Sequence, residues 1–179
     1  MNTYVAPVFA NNTIPEDTVK AIYSVKLGLF TEWPEIKLNS TQQKFHFCIL
    51  GKNPFSHKAI SAIEDLQVKK RQLDINFYPS GLISKDALEK CHTLFISQSE
   101  KLRLKTLLKM LQNQPILTIS DIDKFSHNGG MIALVENNNQ VVFKINIKAL
   151  KKATLSISSK IIELAVSTDD SSNTICRSQ

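Results

Sequence analysis

Cys91 and His92 stand side by side before the apolar run "TLFIS", and such a pair could act as nucleophile and base or as two metal ligands. Nucleophilic catalysis needs a thiolate beside a base in a cleft. Adjacent residues on a strand point to opposite faces of the sheet, so His92 is aimed away from Cys91. The sequence also lacks the G-x-S-x-G motif of serine hydrolases. We therefore expect no catalytic pair in this stretch.

A metal site and a disulfide are the two uses that remain for Cys91. The chain has three cysteines and four histidines, and none are spaced as C-x-x-C or H-E-x-x-H. His46 and Cys48 share one face of a strand, so they could form a metal site with Cys91 and His92. The alternative is a Cys48–Cys91 disulfide, which would stabilise the fold by about 4 kcal/mol and requires an oxidising compartment. The spacing leaves both alternatives open.

Two glycine-containing stretches and one aromatic stretch could hold a ligand or a partner. The double glycine in "FSHNGGMIALV" permits positive φ and close backbone approach, although it could equally be a tight entry into a hairpin. "LGKNPF" could offer backbone N–H groups to an anion, but it lacks the dinucleotide and P-loop patterns. The aromatic residues of "FTEWP" either form a patch on the surface or pack into the core as a plug. The candidate partner- or ligand-binding residues are Phe30, Trp33, Gly51, Asn53, Gly129, Gly130 and Met131.

The surrounding pattern predicts how these residues are placed. A helix begins near Pro15 and ends at Trp33, because the residue before a proline disfavours the helical region. Helical spacing then alternates with the strand patterns "KFHFCILG", "LDINFYP", "HTLFIS" and "PILTIS". Two further strands form a hairpin around residues 137–139, with Ile147 facing inward, and a last helix includes Ile157 and Leu164. We expect an α/β fold with a mixed, mostly parallel sheet of about six strands flanked by helices, a C-terminal β-hairpin and a closing helix.

The length and net charge of the chain limit the classes of protein to which it can belong. The 179 residues fit one domain, which we place at residues 14–166 between a flexible N-terminus (1–13) and a flexible tail (167–179). Val8-Phe9-Ala10 is similar to the end of a trimmed secretion signal. No stretch has the ~20 apolar residues that span a bilayer. The net charge of +6 comes from scattered basic residues without interleaved aromatics, so nucleic-acid binding is not expected.

Six motifs, in this order, resemble the YfiR family of periplasmic proteins. They are "FTEWP", "FCILGKNPF", "CHTLFIS", "ILTISD", "FSHNGGMIALV" and "FKINI", and a helix ending in "IIELA" follows them. The resemblance implies a secreted domain in the periplasm with no catalysis and no cofactor. It also implies repression, in which the protein binds the periplasmic part of a membrane-bound, YfiN-type diguanylate cyclase and restrains cyclic di-GMP synthesis. Redox or envelope stress would free the cyclase and favour biofilm formation.

The resemblance also bears on individual residues. Cys48 and Cys91 fall where the family has a disulfide pair. A second family pair would align with Ser126 and Ala133, so the resemblance implies that this second bridge is absent here. Cys176 has no family counterpart.

The expected partner is the periplasmic domain of an inner-membrane diguanylate cyclase, contacted near Phe30, Trp33 and residues 129–131. The alternative function is a periplasmic small-ligand sensor that works with a membrane sensor kinase, since related domains occur fused to such kinases. The ligand pocket would lie beyond the carboxyl ends of the parallel strands, lined by Gly51, Asn53 and the double-glycine turn. A homodimer is compatible with either function.

Overall fold

The computed structural model describes residues 14–38, 44–81 and 83–166, so the expectations for residues 1–13 and 167–179 lie outside the described residues. The longest helix, α1 (Glu16–Leu29), has acids in its first turn and Lys26 in its last, which complements the helix dipole. No helix within the described ranges is long and apolar enough to cross a bilayer. The shorter helices are α2 (Glu35–Leu38), α3 (His57–Ser61), α4 (Lys85–Lys90), α5 (Leu104–Met110), α6 (Ile147–Lys152) and α7 (Ser159–Leu164), with a 3₁₀ turn (Gln98–Arg103) before α5.

Seven strands form one sheet in the order β3-β4-β2-β5-β6-β7-β8. The strands are β2 (Lys44–Leu50), β3 (Gln67–Val68), β4 (Arg71–Tyr78), β5 (Thr93–Ile96), β6 (Leu117–Ser120), β7 (Ile132–Asn137) and β8 (Gln140–Ile145). The five inner strands are parallel, and β3 and β8 are antiparallel edges. The order of the parallel strands is that of the flavodoxin-like doubly wound sheet. A separate ribbon pairs β1 (Thr31–Glu32) with β9 (Ser156–Ile157).

Two apolar cores lie on opposite faces of the sheet. On one face, Phe47 and Ile49 of β2 pack in a cluster with residues of α1, α3, α6 and α7. On the other face, Cys48 and Leu50 of β2 pack in a cluster with residues of α4 and α5. This alternation follows from the two-residue period of a strand that is buried on both sides. Because both faces are covered, the ends of the sheet are the natural places for a site.

The architecture confirms the predicted α/β fold, mostly parallel sheet, hairpin and closing helix. Three details of the sequence prediction were wrong. Ile147 begins α6 and does not continue the hairpin, because the Asn146 side chain caps a helix by accepting from the Ala149 N–H at 3.0 Å. Ile157 lies in β9, so the last helix begins only at Ser159, and Leu164 on that helix is exposed. The edge strand β3 was not predicted, because two residues are too few to give a periodic pattern.

Candidate functional site

Cys48 and Cys91 form a disulfide that joins the central strand β2 to the segment entering β5. The parallel pairing of β2 with β5 brings the two segments side by side, with Phe47 opposite Thr93 and Cys48 opposite Leu94. Cys91 lies just before β5, and its Cα is 5.9 Å from that of Cys48. Cys91 is also the residue that ends α4, so the bridge ties that helix to the sheet. Both cysteines are fully buried in the core beside α4 and α5. The bridge uses both thiols that the alternative metal site would have needed.

His92 lies at the amino end of β5 and is fully buried. Its Nδ1 accepts a hydrogen bond from the His46 backbone N–H at 3.0 Å, and its ring stacks on Phe45 with the centroids 4.7 Å apart. Burial, reinforced by the charges of Lys37, His46 and Arg71, lowers the pKa of His92 from 6.5 to about 3. His92 is therefore neutral at physiological pH, with its proton on Nε2. A buried, neutral imidazole with no exposed substrate face is a structural group.

Trp33 is buried beside His92, with its ring centroid 5.4 Å from that of Phe45 and 6.3 Å from that of His92. Within the described residues, the buried Trp33 Nε1 and His92 Nε2 have no hydrogen-bond partner. The burial of Trp33 favours its second predicted role, as a plug in the core, over contact with a partner. Phe30 lies three residues earlier and is 41% exposed, so its side chain is accessible for contact.

Gly51 follows the carboxyl end of β2, at the point where the sheet reverses its winding. The connection after β2 leads to α3 on one face, whereas the connection after β5 leads to α5 on the other. Ligands of doubly wound sheets bind at such a point. Here, however, the Ser97 and Ser99 hydroxyls pack so closely on Gly51 that a Cβ there would overlap them, and Ser99 Oγ accepts from the Lys52 N–H at 2.9 Å. Side chains of the protein itself therefore crowd the backbone at Gly51.

Ser97 caps the 3₁₀ turn, whereas the Glu100 side chain forms its hydrogen bonds elsewhere. The Ser97 hydroxyl accepts from the Ser99 N–H at 3.3 Å at the start of the 3₁₀ turn. Glu100 is fully buried and accepts hydrogen bonds from Ser80 Oγ and, at 3.4 Å, from an Arg103 guanidinium nitrogen. This buried carboxylate was missed from the sequence, because its partner Ser80 lies 20 residues away on another connection.

Asn53 shapes the same loop through its own backbone. Its Oδ1 accepts from the Phe55 N–H at 3.0 Å, and its Nδ2 donates to the Phe55 carbonyl at 3.1 Å. Such a turn directs Phe55 into the core, where its ring lies 4.9 Å from that of Phe95. With both polar atoms engaged in this turn, the geometry gives Asn53 a structural role.

The double glycine serves two different physical needs. Gly129 has a φ of +101°, which disfavours any side chain, and a Cβ there would meet open space. Gly130 is buried, and a Cβ there would overlap the fully buried ring of Phe125. Met131 continues into the core and is anchored by its N–H, which donates to Thr118 Oγ1 at 3.1 Å. The turn is therefore a tight entry into β7, which was one of its two predicted roles.

The Gly130→Ala substitution is expected to lower the free energy of unfolding by about 1–3 kcal/mol, because the added methyl group overpacks the Phe125 ring. Gly129→Ala should cost about 1–2 kcal/mol through backbone strain alone. Combining each substitution with Phe125→Leu and measuring urea denaturation separates the two causes. The double variant Gly130→Ala/Phe125→Leu should lose less free energy of unfolding than the sum of the two single variants. For Gly129→Ala/Phe125→Leu the two losses should add. Additivity in both pairs would contradict the steric assignment.

The two glycine loops do not form one pocket, so the predicted ligand site lined by Gly51, Asn53 and the double-glycine turn was wrong. In the strand register Leu50 is level with Ile96, Ser120 and Ala133. Gly51 therefore lies beyond the carboxyl ends of the strands, whereas residues 129–131 lie before the amino end of β7. Three strand spacings and about five residues of rise separate the loops by roughly 20 Å.

The positions expected to lack the second bridge, Ser126 and Ala133, are both buried. Ser126 Oγ has no hydrogen-bond partner within the described residues, and its carbonyl accepts from the Asn146 amide at 2.7 Å. A hydroxyl and a methyl group cannot form a disulfide. Thiol–disulfide chemistry of the described residues therefore falls on the Cys48–Cys91 bridge alone.

A family model described as YfiR/HmsC-like matches residues 17–166 of the chain. The match covers 150 of the 179 residues and includes the disulfide, the seven-stranded sheet and the double-glycine turn. No curated protein matches the chain. The family is a regulatory one and is not known as catalytic, which agrees with a disulfide and a buried histidine where the sequence first suggested an active site. The chain belongs to the YfiR/HmsC-like family.

Proposed function

We propose that the protein is a periplasmic regulator that binds the periplasmic domain of a membrane-bound diguanylate cyclase and restrains cyclic di-GMP synthesis. The observation that carries this proposal is the family match over residues 17–166, since the family suggests such a regulator. The buried Cys48–Cys91 bridge supports it, because disulfides persist in oxidising compartments such as the periplasm. The proposed role is non-enzymatic, with biofilm formation as the controlled response.

Repression would act by a population shift of the cyclase. A binder that prefers the inactive state moves the equilibrium by its differential affinity and needs no chemistry of its own. Turning a cyclase from almost fully active to almost fully inactive requires a preference of about 5.5 kcal/mol for the inactive state. A rigid, disulfide-linked domain suits this role, because little conformational entropy is lost when a preorganised surface binds.

We place the contact surface around the β1–β9 ribbon. Phe30 directly precedes β1, and its carbonyl accepts from the Ser158 N–H at 2.9 Å, which joins the end of α1 to the start of α7. These joined elements carry exposed large apolar side chains, which is unusual for a surface without a partner. They are Leu29, Phe30, Ile162 and Leu164. An aromatic anchor among apolar neighbours is the usual composition of an interface hot spot.

The Phe30→Ser variant is expected to weaken binding to the cyclase domain by about tenfold or more, the size of a modest hot spot. The measurement is equilibrium binding of the purified, oxidised protein to the periplasmic domain of a diguanylate cyclase from the same genome. Phe77→Ser is the matched control, because Phe77 is 49% exposed on β4, away from the ribbon. Both replacements remove an exposed ring, so neither should change the free energy of unfolding much.

Two results would count against these proposals. Equal binding by the wild type and the Phe30 variant would remove the contact surface and leave the regulatory role standing. The absence of a complex with the wild type, under both oxidising and reducing conditions, would remove the cyclase as the partner. Cyclic di-GMP levels in cells that express both proteins provide the matching functional measurement.

The second candidate function is a small-ligand sensor that works with a membrane sensor kinase. At the carboxyl ends of the strands, the Ser97 and Ser99 side chains crowd the backbone at Gly51. The observation that favours this candidate is instead a cleft of about 390 Å³ between α5 and α6, which includes Gly129 and Met131 in its lining. Stabilisation of the protein by a small ligand that occupies this cleft would support it.

A further inference from the structure

A cleft of about 390 Å³ opens between α5 and α6 on the double-glycine side of the molecule. Its volume is within the range of small-molecule sites in proteins. Two lysines of α5, Lys105 and Lys109, line one wall, and two lysines of α6, Lys148 and Lys152, line the other. The residues that line the cleft include no aspartate or glutamate. Four lysines therefore line a recess whose other lining residues carry no acidic charge.

The placement of these lysines is unfavourable for the helices themselves. Lys109 and Lys152 lie in the last turns of their helices, where a cation is favoured. Lys148 is the second residue of a helix whose first turn has no acid, and a cation is disfavoured there. Each helix also carries its two lysines four residues apart, which adds repulsion between like charges. None of the four forms an ion pair within the described residues. A bound anion would relieve all of these costs.

The floor of the cleft is apolar and held in place. Met131, Leu111 and Ala153 line it and are almost fully buried. The Met131 carbonyl accepts from the Asn146 N–H at 2.7 Å, and its sulfur lies 3.5 Å from the Thr118 nitrogen. These contacts tie the floor to β6 and to the start of α6. The floor of the recess is thus held in place before any ligand binds.

From this geometry we propose that the cleft binds a small organic polyanion, with two or more phosphate or carboxylate charges held between the lysine walls and an apolar body against the floor. The volume favours a small molecule over a protein segment, because a protein interface needs about 800 Å² on each partner. The site goes beyond the regulatory role and does not depend on the cyclase. It places a ligand-binding function at the double-glycine turn, at the opposite end of the sheet from Gly51.

The test is titration of the full chain with two probes at low ionic strength, read out by calorimetry and by amide chemical shifts. Pyrophosphate supplies the charge alone, and adenosine 5′-diphosphate supplies similar charge with an apolar body. We expect adenosine 5′-diphosphate to bind more tightly than pyrophosphate and to shift the amides of Gly129, Met131 and Asn113. The Lys109→Gln/Lys148→Gln variant should weaken binding by about tenfold or more, whereas Lys58→Gln/Lys160→Gln, which removes two exposed lysines elsewhere, should not.

Three outcomes would overturn the proposal. If neither probe binds below about 1 mM, the cleft is not a polyanion site. If the control pair weakens binding as much as the cleft pair, the attraction is a general effect of the positive net charge. If an oligoglutamate peptide shifts the cleft amides and the two probes do not, the surface serves an acidic protein segment and not a small molecule.

Discussion

Replacing Cys48 and Cys91 together with alanine is expected to lower the free energy of unfolding by about 4 kcal/mol. The bridge closes a segment with a sequence separation of 43 residues, and the unfolded chain gains the corresponding conformational freedom when it is removed. Both sulfurs are buried, so the variant also loses packing against the core beside α4 and α5. Chemical denaturation of the oxidised wild type and of the double variant measures the loss. An effect of this size is comparable to the whole stability margin of many domains.

Two controls separate the crosslink from the packing. Wild-type protein refolded under reducing conditions keeps the thiol volumes but lacks the bridge, so it should fall between the oxidised protein and the alanine variant. Cys176→Ala removes the third cysteine and should leave stability unchanged, since Cys176 is not part of the bridge. A loss below about 1 kcal/mol on reduction would mean that the unfolded chain is already constrained without the bridge.

The burial of this bridge constrains how the proposed regulator could respond to redox stress. A thiolate must reach a sulfur atom in order to reduce a disulfide, and neither sulfur of Cys48 or Cys91 is accessible in the folded protein. With Ser126 and Ala133 at the positions aligned with a second pair, no such bridge is there to act as a second switch. Reduction would therefore require opening of the core beside α4 and α5, and the sensitivity to reductant would follow the local stability of that core.

The fold could be predicted from the sequence because its signals are local. Alternating strand and helix patterns indicate the order of the elements and, with right-handed crossovers, a mostly parallel sheet. The pairing of β2 with β5, which brings Cys48 within reach of Cys91, was not predicted from these patterns, and only the family resemblance implied the disulfide. The glycines were harder to interpret. Gly129 is required for its positive φ and Gly130 for the space taken by the Phe125 ring, and a sequence does not distinguish these two reasons.

The site itself could not be predicted, because it depends on contacts between distant segments. Ser97 and Ser99 crowd the backbone at Gly51, and no pattern in the sequence indicates that contact. Lys105 and Lys109 stand close together in the sequence, but of α6 only Ile147 was predicted, and it was assigned to the end of a strand. The facing pair on α6 therefore became apparent only when Asn146 was seen to start a helix. The cleft forms only where α5 and α6 lie side by side, so neither helix predicts it alone.

Acidification from pH 7 to 4.5 is expected to lower the free energy of unfolding by roughly 2–3 kcal/mol through His92 alone. Burial lowers the pKa of His92 to about 3 in the folded protein, against 6.5 in the unfolded chain. Below pH 6.5 the unfolded chain takes up a proton that the folded protein cannot accept until about pH 3. Stability that is fully present above pH 6.5 is therefore lost as the pH falls through this window. Urea denaturation at a series of pH values measures the slope.

The His92→Asn variant should flatten that slope, because the asparagine oxygen can still accept from the His46 N–H but cannot be protonated in this range. The variant loses ring packing against Phe45 at every pH, so the change in stability with pH decides the question, not its absolute value. Measuring above pH 4.5 excludes Asp17 and Asp74, since hydrogen bonds from Ser56 and Asn76 respectively hold their pKa values below 3.8. The matched control is substitution of the exposed His57 with asparagine, which should retain the wild-type slope. If the His92 variant keeps that slope as well, the acid sensitivity lies in another group, and the buried ring of His92 already accepts a proton without cost to the fold.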